Sequence, residues 1–372
     1  MKAIDYSSLH IAIIGATGAV GRVMAEELST SKLFKDCDAS QRPHIGLFAS
    51  KKSQGHTMTL FGDQYVVQAF SLDALKGYDF ALMSAGSNFS KEYSPQLASI
   101  GVMVIDNSSA WRLDDKVPLV VPEVNPHTIN RLMVGDGHRG GIVANPNCST
   151  IQMMVCVAPL DQVFGIDIMI ASTYQSVSGA GQEGITTLAK ELKETDNNSY
   201  MIPNSISLLH QPSSVFGTPI AGNILPAIGP ENNNRNTVEE QKVIDESRKI
   251  LAKDDLAVMV TAARVPVFKG HCASIVCQLG REVTHGEVMT VLSQSDGLTV
   301  LEHSPSQPPL TPRLTNGRQE SFVSRVRLGL TDEQHQKSRW LQMWNVADNL
   351  KKGAATNATQ ILGLFLQASH DN

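Results

Sequence analysis

The stretch LHIAIIGATGAVGRVMAEEL, residues 9–28, passes from a short apolar run through a glycine-rich turn into a segment of helical composition. A strand that leads through such a turn into a helix is the context in which a glycine fingerprint predicts a phosphate-binding site. Gly15 and Gly18 permit a tight turn and the close approach of a phosphate, which the helix N-terminus then faces. The spacing is G-x-x-G-x-x-G and not the commoner G-x-G-x-x-G, so a glycine-rich turn that binds no ligand remains the alternative.

The end of the next predicted strand bears on the choice of dinucleotide. The predicted strand His44–Ala49 is largely apolar, and Ser50-Lys51-Lys52-Ser53 follows it directly. A site for NAD would have an acidic residue at this position to bind the ribose diol. Two cations and two hydroxyls suit a 2′-phosphate, which an acid would repel. We therefore predict NADP over NAD, with a solvated lysine pair on a loop as the alternative.

Apolar runs continue to alternate with helical segments through the first half of the chain. This alternation predicts a parallel, doubly wound sheet that binds ligands at the carboxyl ends of its strands. A small, flexible turn, SAGS at 84–87, follows one of these runs, where a cofactor would pass. The further predicted strands are residues 78–83, 102–105, 117–121 and 141–144.

Cys148 follows the last of these runs, within IVANPNCSTIQMM, residues 142–154. Asn, Ser and Thr cap helix starts, and an apolar segment of helical length comes next, so we expect Cys148 at or just outside a helix N-terminus. Unpaired N–H groups and the helix dipole there favour the nucleophilic thiolate and could hold an oxyanion. The alternative is a buried cysteine that acts as a small hydrophobe. The position of Cys148, at a domain junction beside the predicted cofactor, favours the nucleophile.

The second half of the chain predicts a different, strand-rich domain. Residues 195–236 are rich in Asn, Ser and Pro, and we expect an irregular segment that forms either a lid or an interface. Residues 303–320 are predicted to be a loop, and the tail from Gly353 a helix that could return to the first domain. The remaining predicted elements are strands at 167–175, 256–267, 271–279, 322–328 and 340–346, and helices at 183–194 and 237–251.

Composition and charge argue against several classes of protein. A chain of 372 residues is long enough for two or three domains. A net charge of −5 and a pI near 6.1 argue against a nucleic-acid-binding surface. Five irregularly spaced cysteines predict a reducing compartment without a disulfide framework. Because no apolar run suits a signal peptide or a membrane span, we expect a cytoplasmic protein that binds neither nucleic acid nor membrane.

Taken together, several short stretches resemble the aspartate-β-semialdehyde dehydrogenase family, and they span nearly the whole chain in the family's order. They are GATGAVG (15–21), SAGS (84–87), DNSSAWR (106–112), VPLVVPEVN (117–125), NPNCSTIQMM (145–154), STYQSVSGAG (172–181), EEQK (239–242), RVPVFKGH (264–271) and DNLKKGAATNATQI (348–361). The resemblance implies an α/β protein with an NADP-binding Rossmann-type domain, residues 1–147, completed by a C-terminal helix at 348–372. It also implies an α+β catalytic and dimerisation domain, residues 148–347, in a homodimer or homotetramer.

The family's activity is the NADP-dependent reductive dephosphorylation of L-aspartyl 4-phosphate to L-aspartate 4-semialdehyde through a cysteine thioester. The reaction serves lysine, threonine, methionine and diaminopimelate biosynthesis. Two alternatives stay open. One is a related reductase of another acyl phosphate or of an acyl-CoA, and the other is a non-catalytic paralogue.

The resemblance also implies roles for individual residues. The implied catalytic residues are Cys148, Gln175 and His271, and the pKa range of histidine suits an acid/base at neutral pH. Without the resemblance, His271 would be taken for a strand histidine, and Glu239 with Lys242 for a solvated surface pair. The implied substrate and phosphate ligands are Arg112, Asn147, Glu239, Lys242 and Arg264. The implied cofactor contacts are Gly15, Thr17, Gly18, Ala19, Val20, Lys52, Ser53, Ser84, Gly86, Ser178, Gly179 and Asn349.

Three stretches depart from the family's pattern. The family commonly has Arg where Lys52 stands and often Lys where His56 stands, which bears on the preference for NADP. Gly222 stands where the family usually has Phe, and residues 330–339 form a polar stretch that we expect to be a surface loop. We expect no metal site, because Cys272 and Cys277 would face opposite sides of one strand.

Overall fold

The computed structural model describes residues 6–134, 137–138, 140–195, 215–302, 304, 308–329 and 336–368. The chain divides into two compact units. The first takes its described residues from Met1–Asn147, Lys249–Ala252 and Gly353–Asn372, and the second from Cys148–Arg248 and Lys253–Lys352.

The first unit is built on a parallel sheet. Six strands follow the order β10-β7-β6-β1-β2-β5, and every neighbouring pair is parallel. Two small antiparallel pairs, β3–β4 and β8–β9, lie outside this sheet. The strands are β1 (His10–Ile14), β2 (His44–Ala49), β3 (Thr57–Leu60), β4 (Asp63–Val66), β5 (Gln68–Ala69), β6 (Phe80–Met83), β7 (Met103–Asp106), β8 (Met133–Val134), β9 (Gly137–His138) and β10 (Gly141–Ala144), and the helices are α1 (Ala19–Thr30) and α2 (Ser87–Ser99).

The apolar run of β1 is explained by burial on both faces of the sheet. Ile11 and Ile13 belong to one buried apolar cluster, whereas Ala12 and Ile14 belong to another. A central strand of a parallel sheet is covered on both sides, so its sequence is continuously apolar and does not alternate. The chain leaves β1 for β2 on one side and returns for β6 on the other. The carboxyl ends of β1 and β6 therefore form the switch point at which doubly wound sheets bind ligands.

The predicted strand at 117–121 is wrong. Leu119 makes a single parallel bridge with Ala144, and no strand forms around it. Pro118 and Pro122 flank the bridge, and proline has no backbone N–H with which to extend a ladder.

The second unit contains a mixed six-stranded sheet of order β12-β11-β13-β16-β15-β14. The pairs β11–β12 and β14–β15 are parallel, and the others are antiparallel. The strands are β11 (Ile166–Gln175), β12 (Ala257–Arg264), β13 (His271–Thr284), β14 (Leu298–Leu301), β15 (Ser321–Gly329) and β16 (Lys337–Ala347). The helices are α3 (Cys148–Phe164), α4 (Gly181–Thr195), α5 (Val238–Leu251), α6 (His285–Ser293) and α7 (Pro312–Thr315).

The two faces of this second sheet differ in exposure. Helices α3 and α6 pack on one face, where alternate residues of β13 such as Ile275 and Cys277 are fully buried. On the other face, Tyr174 of β11 is 37% exposed and Met259 of β12 is 56% exposed, and Trp344 of β16 lies half-buried against Tyr174. One face of the sheet is therefore incompletely covered by the described residues.

The C-terminal helix belongs to the first unit. After a π-helical turn at Lys351–Ala355, α8 (Thr356–Ala368) buries Ile361, Leu362 and Phe365 in the apolar cluster that also contains Ile11. A terminal segment of the chain thus completes the core on one face of the parallel sheet.

Several predicted bounds in the second half need correction. Strand β12 ends at Arg264 and not at residue 267, and β13 continues to Thr284. A short helix, α7, lies within the predicted loop 303–320, and β16 already begins at Lys337 inside the predicted surface loop 330–339. Helix α6 and strand β14 were not predicted at all.

The predicted irregular segment 195–236 is seen only in part, because residues 196–214 lie outside the described residues. Residues 215–236 contain turns and two single bridges, Leu225 with Arg264 and Glu231 with Thr237. Gly222 has φ of +68°, in the left-handed region that suits glycine.

Candidate active site

Three of the predicted site residues meet at one edge of the second sheet. Gln175, the last residue of β11, pairs in register with Arg264, the last residue of β12. His271 begins β13, which runs antiparallel to β11, so it lies at the same edge. All three side chains are buried. These residues are up to 96 positions apart in the sequence. The pairing of the strands is what brings them together.

Cys148 is the first residue of α3, in the second unit. It is half-buried, whereas Cys37, Cys156, Cys272 and Cys277 are buried, and all five are free thiols. The expected place at a helix N-terminus is therefore observed. Backbone N–H groups of a first helical turn have no intrahelical partner and stabilise negative charge beside them.

His271 is buried completely, and its two ring nitrogens have different surroundings. Nδ1 accepts a hydrogen bond from the backbone N–H of Ser176 at 3.1 Å and lies 3.0 Å from the hydroxyl of the same residue. Nε2 is buried and has no hydrogen-bond partner among the described residues. Burial and the neighbouring Arg264 lower the pKa of His271 to about 3, against the weaker opposing effects of Glu239 and of a backbone hydrogen bond at Gly270.

Burial and Arg264 therefore hold the pKa of His271 below the ordinary range of histidine, on which the predicted acid/base role was argued. A positive imidazolium would lack water around it and would face the Arg264 guanidinium. The ring is neutral at physiological pH.

Glu239 and Lys242 are not a solvated surface pair. They lie one turn apart on α5, with 3.2 Å between Lys242 Nζ and Glu239 Oε2, and the Glu239 side chain is only 10% exposed. Burial lowers the pKa of Arg264, and the nearby negative charges of Glu239 and Cys148 partly oppose this effect. The second unit thus places both a buried carboxylate and Cys148 close to a buried guanidinium.

Gly179 lies close to the side chains of Arg264 and His271. A Cβ on Gly179 would lie 2.6 Å from Arg264 Nη1 and 3.2 Å from His271 Nε2. A side chain there would collide with the Arg264 guanidinium and press against the His271 ring. The backbone of Gly179 is not in the left-handed region, so its conformation does not require glycine. Glycine is required because a side chain would collide with the neighbouring site residues.

Asn349 hydrogen-bonds Ser178, another of the predicted cofactor contacts, and two further residues of the second unit. Its Oδ1 accepts hydrogen bonds from the backbone N–H of Gly270 at 2.9 Å, from Ser178 Oγ at 3.0 Å and from Ser176 Oγ at 3.1 Å. All of these residues are buried. The network links the loop after β11 to the turn before β13.

The remaining predicted cofactor residues lie at the switch point of the first unit. Gly15 has φ of +86°, and a Cβ there would lie 2.5 Å from the carbonyl oxygen of Ser84, so only glycine fits. Gly18 is the N-cap of α1, whose first residues are Ala19 and Val20. Gly86 is the N-cap of α2. Two helix N-termini therefore follow two adjacent parallel strands, as anion binding requires.

The segment with the lysine pair lies next to the glycine turn. Thr17 Oγ1 donates a hydrogen bond to Ser53 Oγ at 3.2 Å. Lys51 and Lys52 lie on a single turn of 3₁₀ helix, and both are exposed. The structure thus brings together Thr17 and the SKKS segment, which are more than 30 residues apart in the sequence.

Arg112 lies in the first unit, and its side chain is buried. Its Nε donates to the carbonyl of Asn145 at 3.0 Å, and its Nη2 to the carbonyl of Asn107 at 2.8 Å. Asn147, the last residue before α3, is buried as well.

Two residues that organise the Arg112 segment were missed by the sequence analysis. Asp106 is fully buried and accepts hydrogen bonds from the N–H of Ser108 at 2.7 Å and from the Ser90 hydroxyl. Burial raises the pKa of Asp106 against these hydrogen bonds. The aspartate of DNSSAWR could have been suspected, since it directly follows an apolar run.

The second missed residue is Lys249. Its Nζ donates to three backbone carbonyls, at 2.9 Å to Arg112, 2.7 Å to Asp114 and 2.9 Å to Val117. No sequence signal identifies it, because it is one of two lysines on an amphipathic helix.

Matches to known proteins agree with this architecture. Residues 10–132 match the semialdehyde dehydrogenase NAD binding domain, and residues 157–352 match the semialdehyde dehydrogenase dimerisation domain. The aspartate-semialdehyde dehydrogenase of Aquifex aeolicus is 40% identical over 359 residues, which are 96% of this chain and 98% of the relative. The chain belongs to the aspartate-semialdehyde dehydrogenase family.

Other relatives extend the match. The Bacillus subtilis aspartate-semialdehyde dehydrogenase is 35% identical over 95% of this chain and 96% of its own. The crystal structure of aspartate semialdehyde dehydrogenase II from Vibrio cholerae, complexed with ASA, superimposes with a TM-score of 0.83 at 36% identity. That match covers 96% of this chain and 98% of the Vibrio chain.

These findings confirm the resemblance, the fold class and the enzyme class that the sequence predicted. The protein is an oxidoreductase of an amino-acid biosynthesis family, with a domain that binds a nicotinamide dinucleotide and a dimerisation domain. Within the described residues, no helix combines the length and the apolar character that crossing a bilayer requires.

Proposed function

We propose that the protein reduces L-aspartyl 4-phosphate to L-aspartate 4-semialdehyde with NADPH, through a thioester on Cys148. The observation that carries this proposal is the grouping of Gln175, Arg264 and His271 at one sheet edge, in the unit that Cys148 begins. The product, L-aspartate 4-semialdehyde, would enter the biosynthesis of lysine, threonine, methionine and diaminopimelate in the cytoplasm. The five free thiols suit such a reducing compartment.

The charges of the second unit fit a substrate that is an amino acid. Arg264 offers a buried guanidinium for the α-carboxylate, a task that suits its planar fork of donors. Glu239, with its buried carboxylate, would hold the ammonium group. Placing opposite charges on opposite sides of a zwitterion also selects against substrates whose amine is acylated, because these have no ammonium for Glu239.

In the direction of oxidation, the thiolate of Cys148 attacks the aldehyde carbon and forms a thiohemiacetal. The dinucleotide would supply the hydride acceptor when bound, and loss of the hydride and of the hydroxyl proton, which His271 would accept as the base, converts the thiohemiacetal to a thioester. Phosphate then attacks the thioester, the C–S bond breaks, and aspartyl phosphate leaves while the thiolate returns. Arg112 and Lys242 would bind the phosphate, Asn147 would assist, and Gln175 would position the substrate.

The first unit fits NADP in two respects. Gly15, with its positive φ, allows the chain to turn tightly after β1, and two helix N-termini follow β1 and β6. Lys52 and Ser53 lie next to Thr17 and offer a cation and a hydroxyl to a 2′-phosphate. The residues that would hold the dinucleotide are Gly15, Thr17, Gly18, Ala19, Val20, Lys52, Ser53, Ser84, Gly86, Ser178, Gly179 and Asn349.

A coupled assay tests the proposal. NADP⁺ reduction is followed with aspartate semialdehyde, with and without phosphate, and with N-acetylglutamate semialdehyde as the rival substrate. We expect NADPH to form only with aspartate semialdehyde and phosphate together. Turnover with the acetylated substrate, or a requirement for coenzyme A in place of phosphate, would show that the protein is one of the related reductases.

We also propose that the half-exposed face of the second sheet forms the interface of a homodimer, which could pair further into a homotetramer. The match to a dimerisation domain covers the strands that build this face. Exposed apolar side chains such as Met259 and Tyr174 would be covered there by a second copy. Light scattering should give a dimer for the wild type and a monomer for Met259→Arg. An unchanged mass for that variant would place the interface elsewhere.

A further inference from the structure

Gln152 lies one turn after Cys148 on α3, and its side chain is completely buried. Residues four apart on a helix share a face, so Gln152 and Cys148 project to the same side of α3. Helix α3 contacts β13, β15 and β16 of the mixed sheet. The neighbours of Gln152 on α3, among them Ile151 and Met153, are buried apolar side chains. A glutamine in this contact needs partners within the protein, because water does not reach it.

The Gln152 amide ties α3 to the sheet. Its Nε2 donates a hydrogen bond to Asn345 Oδ1 on β16 at 2.9 Å and a longer one to the backbone carbonyl of His271, at the start of β13, at 3.3 Å. Asn345 is also completely buried, and it pairs with Ala273 of β13 on one side and with Val323 of β15 on the other. Gln152 is therefore bonded to a residue that lies in the middle of three strands.

Ser321 closes the network. Its hydroxyl donates to the backbone carbonyl of Gln152 at 2.9 Å and accepts from Asn345 Nδ2 at 2.8 Å. Asn345 Nδ2 also donates to the carbonyl of Phe322 at 3.0 Å. Ser321 and Phe322 begin β15, so a short cycle of buried hydrogen bonds connects α3 with β15 and β16.

The direction of the amide hydrogen bonds in this network is fixed. The carbonyl of Phe322 can only accept, so Asn345 turns its NH₂ group toward β15 and its Oδ1 toward Gln152. Gln152 must then present its own NH₂ group, because its Oε1 would face two acceptors. This arrangement leaves Gln152 Oε1 buried without a partner among the described residues. An apolar side chain would avoid that cost, so packing alone does not explain a glutamine at this position.

Hydrogen bonds constrain a helix in a way that apolar packing does not. The hydrophobic contribution is proportional to the buried area and has no direction, so by itself it allows small rotations and shifts of α3 on the sheet. A hydrogen bond weakens steeply when its distance or angle changes. In an interior without water, a broken hydrogen bond leaves its groups unsatisfied. The network therefore favours a single register of α3.

The register of α3 matters because the rest of the site lies on the sheet. Gln175 and Arg264 are the last residues of β11 and β12, whereas Cys148 is carried by the helix. The negative charge of Cys148 acts to raise the pKa of Arg264, so the two groups are within electrostatic reach of each other. Reacting groups must be closely aligned, and a displacement of about 1 Å can lower a rate about 10²-fold.

We infer that Gln152 is a positioning residue: with Asn345 and Ser321, it fixes the register of α3 on the mixed sheet and so places the sulfur of Cys148 against the substrate. This inference rests on the proposed function, in which Cys148 is the nucleophile. Gln152 takes part in no bond-making step. Loss of the network should therefore lower kcat more than it changes KM, since Arg264 and Glu239, the proposed substrate ligands, lie on β12 and α5.

Alkylation of Cys148 tests the inference without substrate. The other four cysteines are buried, so iodoacetamide should modify Cys148 first in the folded, full-length protein, as peptide mass spectrometry can verify. Gln152→Met retains the size of the side chain and removes the donor. We expect its Cys148 to be alkylated about 3–10-fold more slowly at pH 7, because the thiolate is then displaced from Arg264. A rate within twofold of the wild type, or a faster one, would overturn the inference.

Steady-state kinetics separate positioning from a loss of stability. In Gln152→Met, we expect kcat per folded enzyme to fall about 10–100-fold, while KM for aspartate semialdehyde and for NADP⁺ stays within about twofold of the wild type. Ile275→Val is the matched control, because it removes a buried methylene group from the same face of the sheet without removing a hydrogen bond. The control should retain its kcat. An equal fall in both variants would mean that only packing matters, and the inference would fail.

A double substitution keeps the test decisive if Gln152→Met folds poorly. Gln152→Leu combined with Asn345→Leu replaces both hydrogen-bonding partners by apolar groups, which can restore the stability that a single substitution removes. We expect the urea midpoint to recover while kcat and the alkylation rate stay low. Recovery of kcat together with stability would overturn the inference. If wild-type protein does not reduce NADP⁺ with aspartate semialdehyde and phosphate, the proposed function fails, while the alkylation rates still show whether Gln152 positions the thiol.

Discussion

The carboxyl ends of the parallel sheet in the first unit and the site edge of the mixed sheet in the second are built differently. At the first, Lys52 and Gly86 are exposed and Thr17 is half-buried, and helix N-termini supply most of the polar groups. At the second, His271 and Gln175 are almost inaccessible to solvent, and side chains hydrogen-bond one another in a closed network.

This difference follows from what each site has to do. A dinucleotide is large, charged and exchanged in every turnover, so backbone donors and solvated cations suffice to bind it and release it. Charge that develops during a reaction is stabilised best by dipoles that are already oriented and shielded from water. The free energy that one side chain contributes should therefore be larger at the second site than at the first.

The largest effect is expected from Cys148→Ala, because no other residue can form the thioester. The turnover number should fall at least about 10⁴-fold, or about 5.5 kcal/mol in activation free energy, while unfolding and NADPH affinity stay near those of the wild type. Stopped-flow and steady-state rates measure this. Cys156→Ala, at a fully buried thiol on the same helix, is the matched control. Activity within tenfold of the wild type would exclude the covalent route.

Arg264→Met should come next, because it removes a buried guanidinium and leaves the substrate carboxylate without its cationic partner. We expect kcat/KM for aspartate semialdehyde to fall about 10²–10³-fold, or about 3–4 kcal/mol. Arg264→Lys, which retains the charge but not the planar fork, should recover only part of this. If the KM for phosphate rose instead while that for the semialdehyde stayed constant, Arg264 would belong to the phosphate site.

The burial of His271 should make the stability of the protein depend on pH. The folded-state pKa of about 3 lies below the ordinary 6.5, so the neutral ring stabilises the fold fully above pH 6.5, and this contribution is lost as pH falls toward 3. Between pH 7 and pH 5, the unfolding free energy should drop by about 2 kcal/mol more in wild type than in His271→Gln. Urea titrations at the two pH values measure the difference. Identical drops would mean that the folded protein protonates His271 readily.

At the exposed site of the first unit, Lys52→Glu should have a smaller and selective effect. We expect NADPH to bind about 10–30-fold more weakly, or about 1.5–2 kcal/mol, with NADH binding nearly unchanged. Fluorescence titration with both dinucleotides measures this, and Lys51→Glu on the same turn is the matched control. An equal loss for both dinucleotides would mean that Lys52 does not contact the 2′-phosphate.

The smallest effect is expected from Lys249→Met, which removes the ammonium that holds three carbonyls of the Arg112 segment. The KM for phosphate should rise about 3–10-fold, or about 1 kcal/mol, because Arg112 is then held less firmly. Lys253→Met is the control, since Lys253 is anchored comparably to Asp161 at 2.6 Å but not to the Arg112 segment. A similar rise in both variants would reveal a general loss of stability.

Local chemistry in the sequence was enough to predict some of these features. The glycine turn, the helix that starts at Cys148 and the spacing of Glu239 with Lys242 each depend on residues close together in the chain. The strand predicted at 117–121 does not form, and the reason is also local. The apolar residues suggested a strand, but Pro118 and Pro122 have no backbone N–H with which to extend a ladder. Helix α6 and strand β14 were missed because their patterns are short.

The sequence by itself determined that this protein has a dinucleotide-binding sheet, a cysteine at a helix start and the motifs of a known family, because backbone conformation and capping are short-range effects. Only the tertiary structure decided that Gln175, Arg264 and His271 share one sheet edge, that Lys249 holds the Arg112 segment, and that the backbone N–H of Ser176 donates to Nδ1 of His271. Register between strands and the burial of charge depend on residues far apart in the chain. These are the interactions that give each side chain its chemistry.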